Sequence, residues 1–180
     1  MMKALLLIDI QNDYFPGGAL PLHETEKAAS NARRLLEKFR DGKMPVIFIK
    51  HISARPEATF FLPGTNGVEI HEIVAPAGNE VVIEKHFPNS FRDTGLDVYL
   101  KSNRIDELVV CGMMTHMCVD ATVRAAKDFG YKCTLIGDAC ATKDLALNEK
   151  IVSAEHVHEA FLAALNYYFA SVVNTEEYLK

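Results

Sequence analysis

The chain has 180 residues, 49% of them hydrophobic and 24% charged, with a net charge of −5. That length suits one sizeable core and predicts a single domain over residues 1–180. The acidic balance, with no cluster of Lys or Arg, argues against nucleic acid or an anionic membrane as partner, and no apolar run reaches the length of a membrane span.

Strand-like and helix-like stretches alternate along the chain. Leu5 to Ile10 reads as the first strand, and Glu24 to Asp41 carries helical periodicity through Ala28, Ala32, Leu35, Leu36 and Phe39. Val46 to Lys50 is the second strand. A long connection rich in Pro and Gly, His51 to Asn79, follows, with a short apolar piece at Val68 to Val74; loops of this length are often functional. Val81 to Lys85 is the third strand, and Thr94, with Asp97 three residues on, opens a short helix to Asn103. Leu108 to Cys111 is the fourth strand, and a helix over 116–129 follows it. The strand Lys132 to Gly137, a long helix from Leu145 to Phe169 and a sixth strand at Ala170 to Val173 complete the series. This alternation predicts a three-layer αβα fold, an α/β architecture around a six-stranded, mostly parallel, doubly wound (Rossmann-like) sheet.

Four cysteines without a CxxC pair predict reduced thiols and a cytoplasmic location. The apolar run after Lys3 is too short for a signal peptide and runs into Asp9, Gln11, Asn12 and Asp13. Cys111, Cys133 and Cys140 fall in or at the end of apolar strands, where cysteine packs as a small hydrophobe. Cys118 differs. With Thr115 as N-cap it falls in the first turn of a helix, where unpaired amides and the helix dipole favour a thiolate.

Ligands of doubly wound sheets bind beyond the carboxyl ends of the strands, and Asp9, Lys85 and Cys118 each fall at or just past such an end. A carboxylate closing an apolar run needs a partner, and Lys85 is placed to supply it. In one cleft, Asp9 would take the thiol proton, Lys85 would stabilise the thiolate, and Cys118 would attack an amide or ureido carbonyl. Tyr14, Phe15, Phe61 and Phe91 are candidate pocket walls for a small planar substrate, and His116, beside the thiol, is a candidate substrate contact.

Four segments in order resemble one known family over almost the whole chain. They are Leu7-Ile8-Asp9-Ile10-Gln11-Asn12-Asp13; Lys85 with Ser90-Phe91, Thr94 and Leu96; Gly112-Met113-Met114-Thr115-His116-Met117-Cys118-Val119; and Asp138-Ala139 with Ala141-Thr142. The chain resembles the isochorismatase-like cysteine hydrolases, which include nicotinamidases and carbamoylsarcosine amidohydrolases. The resemblance implies an Asp9, Lys85, Cys118 triad, a cis peptide between Met113 and Met114, and an oxyanion hole formed by the amides of Met114 and Cys118.

Nicotinamidases carry an Asp-x-His pair after the second strand; here the strand ends Lys50-His51-Ile52-Ser53, and Phe60 stands where a further histidine is expected. His51 and His71 are too scattered to suggest a site, so no metal and no cofactor is expected. Two other readings compete with amide hydrolysis. A vinyl-ether hydrolase of the isochorismatase type would not need the cysteine. A non-catalytic nucleotide- or metabolite-binding module would need a phosphate loop, and neither GxGxxG nor GxxxxGK[ST] occurs. The expected partner is therefore a small-molecule substrate. The resemblance and the apolar residues Phe161, Leu162, Leu165, Tyr168 and Phe169 add an expected homo-oligomer.

Overall fold

The computed structural model describes residues 2–180. Six strands form one parallel sheet: β1 (Met2–Ile8), β2 (Val46–His51), β3 (Val81–Lys85), β4 (Ile105–Met113), β5 (Lys132–Ala141) and, after a small hairpin, β8 (Ser171–Val173). The hairpin pairs β6 (Leu145–Leu147) with β7 (Lys150–Val152) in antiparallel register. Strand order in the sheet is β3-β2-β1-β4-β5-β8. The chain thus winds outward from β1 through β2 to β3, then returns to the other side of β1 with β4. That reversal opens a crevice at the carboxyl ends of β1 and β4.

β1 is apolar at nearly every position because both of its faces are covered. Leu5 and Leu7 point to one face, which packs Ala28, Ala32, Leu35, Leu36 and Phe39 of α1 (Thr25–Asp41). Ala4, Leu6 and Ile8 point to the other. There they meet Leu96 and Leu100 of α2 (Leu96–Ser102), Val123 and Ala126 of α3 (Asp120–Asp128), and Leu165 of α4 (Ala154–Tyr168). A last helix, α5 (Thr175–Leu179), packs Tyr178 and Leu179 beside α1. No helix among the described residues is long and apolar enough to cross a membrane.

Three expectations are corrected. The long helix from Leu145 begins instead at Ala154. Asn148, in the left-handed region at φ 55°, makes the tight turn of the β6–β7 hairpin, and Ser153 then caps α4 by accepting from the His156 amide. Thr94 does not form a capping box with Asp97. Its hydroxyl donates to the Ser90 carbonyl at 2.6 Å, and Asp97 is held by Lys101 and Tyr131. Of the α4 residues expected to mediate association, Leu165 is buried in the core, whereas Tyr168 is 65% exposed.

The connection between β2 and β3 folds back over the end of β1 through two single helical turns, Asn66–Val68 and Glu72–Val74. The His71 amide donates to the Ile10 carbonyl at 2.9 Å, and Val68 and Val74 are buried.

Gly112 lets β4 approach β1 where the crevice opens. It sits at φ +135° opposite Ile8, and a Cβ there would stand 2.0 Å from the Ile8 carbonyl oxygen. Gly112→Ala is expected to destabilise the fold by more than about 4 kcal/mol in denaturant titrations. Gly130→Ala, at φ +92° with nothing within 4 Å of the added atom, should cost only about 1–2 kcal/mol.

Candidate active site

Asp9 follows the last residue of β1 and takes a left-handed conformation, φ 50°, which Asp tolerates better than most residues. Its amide donates to the Ile49 carbonyl, and its side chain is fully buried. Lys85 ends β3, two strands away, and reaches across the end of β2. Its Nζ lies 2.7 Å from Asp9 Oδ2, an ion pair with neither side chain exposed. The ammonium also meets His51 Nδ1 at 3.1 Å and the carbonyls of Phe87 and Pro88 at 3.1 and 3.3 Å. Four acceptors offset the desolvation of one buried cation. Burial alone would lower the lysine pKa, but Asp9, with Cys118, raises it, and Lys85 stays protonated.

Cys118 lies in a π-helical turn, Thr115–Val119, that joins β4 to α3. The turn is fastened at its start, where Met114 follows a cis peptide bond and its carbonyl accepts from Met117 and Val119. The expected N-cap is not formed. The Thr115 hydroxyl donates instead to the Ala141 carbonyl and pairs with His158, which anchors the turn to β5 and α4. The Cys118 sulfur, a carboxylate oxygen of Asp9 and a ring nitrogen of His51 all lie within 4.8 Å of one another.

The thiolate that the helix-start position favours is not the resting form. Burial pushes the Cys118 thiol well above its ordinary pKa and the Asp9 charge adds to this, with Lys85 opposing both. The resting site therefore holds a neutral thiol beside an ammonium–carboxylate pair. Tyr14 keeps its proton for related reasons, burial first, with the nearby Asp9 charge adding to it.

A cavity of about 200 Å³ opens onto the sulfur, lined by Tyr14, His51, Ser53, Arg55, Phe60, His86, Phe87, Pro88, Met114, Met117 and Cys118. Of the expected pocket walls only Tyr14 lines it. Phe15 is stacked on His71 with ring centroids 3.6 Å apart, Phe61 is wholly buried behind Tyr14 and Phe60, and Phe91 packs on Phe129 and Tyr131 across the sheet. Each is an aromatic side chain absorbed by the core. His116 turns away as well, bonded through Nδ1 to Thr142 with its ring against Phe161. A larger cavity, about 380 Å³, lies near His23, Cys140 and His158, and none of Asp9, Lys85 or Cys118 lines it.

His51 is the site residue that the sequence reading passed over. It pairs in register with Lys85 at the ends of adjacent strands, and Gln11 fastens its backbone on both sides, accepting from its amide at 2.7 Å and donating to its carbonyl at 2.9 Å. The strand-end position shared with Lys85 is the signal that could have found it. Asp13 serves the scaffold: it accepts from the amides of Phe61 and Ala19 and presses against Gly67, where a Cβ would not fit.

A family model described as Isochorismatase domain matches residues 3–177. The isochorismatase family protein YddQ of Bacillus subtilis (strain 168) is 56% identical over 180 residues, covering 100% of both chains. An N-carbamoylsarcosine amidase of Arthrobacter sp is 30% identical over 149 residues, covering 72% of this chain and 55% of that protein. The crystal structure of an isochorismatase hydrolase from Oleispira antarctica matches the fold with a TM-score of 0.95 at 48% identity, covering 99% of this chain and 96% of that one.

His51 carries a pH signature. Burial lowers its pKa to about 4, with Asp9 opposing and Lys85 reinforcing, against 6.5 for a free ring. The unfolded chain therefore binds the proton first as pH falls, and stability is lost between pH 6.5 and 4, by up to about 3 kcal/mol. Urea titrations at pH 7 and pH 4 should show this acid loss to be smaller by that amount in His51→Gln.

Proposed function

The chain belongs to the isochorismatase family, and we propose that it is a cysteine-dependent hydrolase of small amides or ureides that works through a thioester on Cys118. The observation that carries this reading is the convergence of three strand ends. Lys85 Nζ lies 2.7 Å from Asp9, and the Cys118 sulfur lies within 4.8 Å of that carboxylate, at the wall of a cavity sized for a small molecule.

The neutral thiol dictates the order of events. Asp9 accepts the Cys118 proton as the sulfur bonds to the substrate carbonyl carbon, so charge moves from carboxylate to sulfur to carbonyl oxygen without a free thiolate. The Lys85 ammonium stays fixed beside Asp9 as the charge moves away. The amides of Met114 and Cys118 are assigned to the oxyanion, with each such donor typically worth about 3–4 kcal/mol in the transition state. Collapse breaks the carbon–nitrogen bond, and the proton held by Asp9 leaves with ammonia or an amine. Water then gives a proton to Asp9 and its hydroxide to the thioester. The acid departs, and the same proton returns to the sulfur.

Tyr14, Phe60 and Phe87 offer the cavity flat apolar walls, while Ser53 and Arg55 supply polar groups. A vinyl-ether hydrolase would have no work for Cys118, and the fastened turn that presents the sulfur to the cavity favours the amide reading.

Ammonia release from a panel of small primary amides and ureides tests the proposal. At least one substrate should be turned over, with a loss of about a thousandfold or more in Cys118→Ala. Turnover that survives this substitution contradicts the reading. Iodoacetamide labelling of Cys118 against pH gives a second check. The Asp9 charge raises the thiol pKa, so Asp9→Asn should shift the labelling midpoint to lower pH while amide turnover falls about a hundredfold or more. A midpoint that stays or rises contradicts the assignment of Asp9 as the base facing the sulfur.

A further inference from the structure

The groups gathered around the Lys85 ammonium make up the donor set of a metal ion. An Asp9 oxygen, a His51 ring nitrogen and the Cys118 sulfur lie within 4.8 Å of one another, and His51 Nδ1 is 3.9 Å from Asp9 Oδ2. A tetrahedral ion with bonds of about 2.0–2.3 Å holds its ligands roughly 3.3–3.7 Å apart, so the three need close by up to about 1.5 Å. Asp9 adds a second observation. Its carboxylate is 0% exposed, and among the described residues neither oxygen has a partner in good hydrogen-bond geometry, the Lys85 ion pair at Oδ2 included, an unusual state for a buried carboxylate. One carboxylate, one imidazole and one thiolate suit Zn²⁺, and His51 and Cys118 both line the cavity.

We infer that Asp9, His51 and Cys118 bind Zn²⁺ in competition with the Lys85 ammonium, and that the bound ion silences the nucleophile. The ammonium now holds the place of the cation, 2.7 Å from the carboxylate and 3.1 Å from the imidazole. The Phe87 and Pro88 carbonyls already accept from Nζ, so Lys85 can withdraw onto them with its proton. On binding, the Cys118 S–H bond breaks, a Zn–S bond forms, and one proton goes to solvent. Zn²⁺ brings two positive charges and the departing thiol proton removes one, so with the ammonium retained the site becomes one charge more positive, and that repulsion sets Lys85 in competition with the ion. No electron transfer is involved. Silencing rests on the hydrolase reading above; binding does not.

The probes are ZnCl₂ and, for its spectrum, CoCl₂, titrated into the full chain. Wild type should show a near-ultraviolet thiolate-to-cobalt band that Zn²⁺ abolishes, and Zn²⁺ should protect Cys118 from iodoacetamide. Lys85→Met, which removes the competing cation, should bind at least about tenfold more tightly, and His51→Gln at least about tenfold more weakly. Cys118→Ala should show no band. A wild type without band or protection overturns the site, as does a band that persists in Cys118→Ala or an unchanged affinity in His51→Gln. A folded Lys85→Met that binds no more tightly overturns the competition; if that variant does not fold, the His51→Gln comparison decides. Metal binding with no amide turnover from any substrate leaves the site standing and removes the hydrolase reading alone. Turnover and Cys118 labelling that are both indifferent to Zn²⁺ remove the site alone.

Discussion

The buried ion pair between Lys85 and Asp9 is the interaction on which the rest of the structure depends. Neither side chain is exposed, so each charge has given up its water and relies on the other. Such pairs are weak sources of stability, because desolvation consumes most of the Coulombic gain, whereas removing one partner typically costs about 3–5 kcal/mol. The protein meets that cost with supporting acceptors: the His51 ring and two backbone carbonyls complete the ammonium's shell. An apolar pair would fill the same volume without this demand. The charges are accounted for by what lies beside them, a buried thiol that neither can leave unaffected.

That pair forms only because the topology brings distant segments together. β1, β2 and β3 lie side by side in parallel, so Asp9, His51 and Lys85 end up in a row at one edge. β4 returns on the other side of β1 and delivers Cys118 from the opposite flank. The close approach at Gly112 brings β4 against the end of β1, next to Asp9. The scaffold residues are as specific as those that meet at the site. Gln11 fixes the end of β2, and the Thr115 hydroxyl fastens the turn that carries Cys118 to the strand beyond it.

Much of this was legible in the sequence. Apolar runs bounded by helical periodicity gave the parallel sheet, and the rule that sites gather at strand ends brought Asp9, Lys85 and Cys118 into one proposal. What escaped was governed by tertiary packing. Adjacent aromatic residues Phe60 and Phe61 have the same composition cues, yet one lines the cavity and the other is sealed in the core. The thiol's protonation could not be read from helix position, because burial outweighs the dipole. Leu145 to Val152 carries apolar residues that suit a helix or a hairpin, and the left-handed Asn148 decides for the hairpin. His51 was discounted for want of a metal-ligand spacing, although its neighbour across the sheet is Lys85 itself.

In the proposed reaction Cys118 bonds to the carbonyl carbon of the substrate. Hydroxylamine added during turnover of a small amide tests it directly, since a thioester is intercepted as a hydroxamate while a direct attack of water yields only the acid. Hydroxamate should form at the expense of acid, together with an acyl adduct that peptide mapping places on Cys118 after acid quenching. Turnover that yields acid alone, with neither hydroxamate nor adduct, would contradict it.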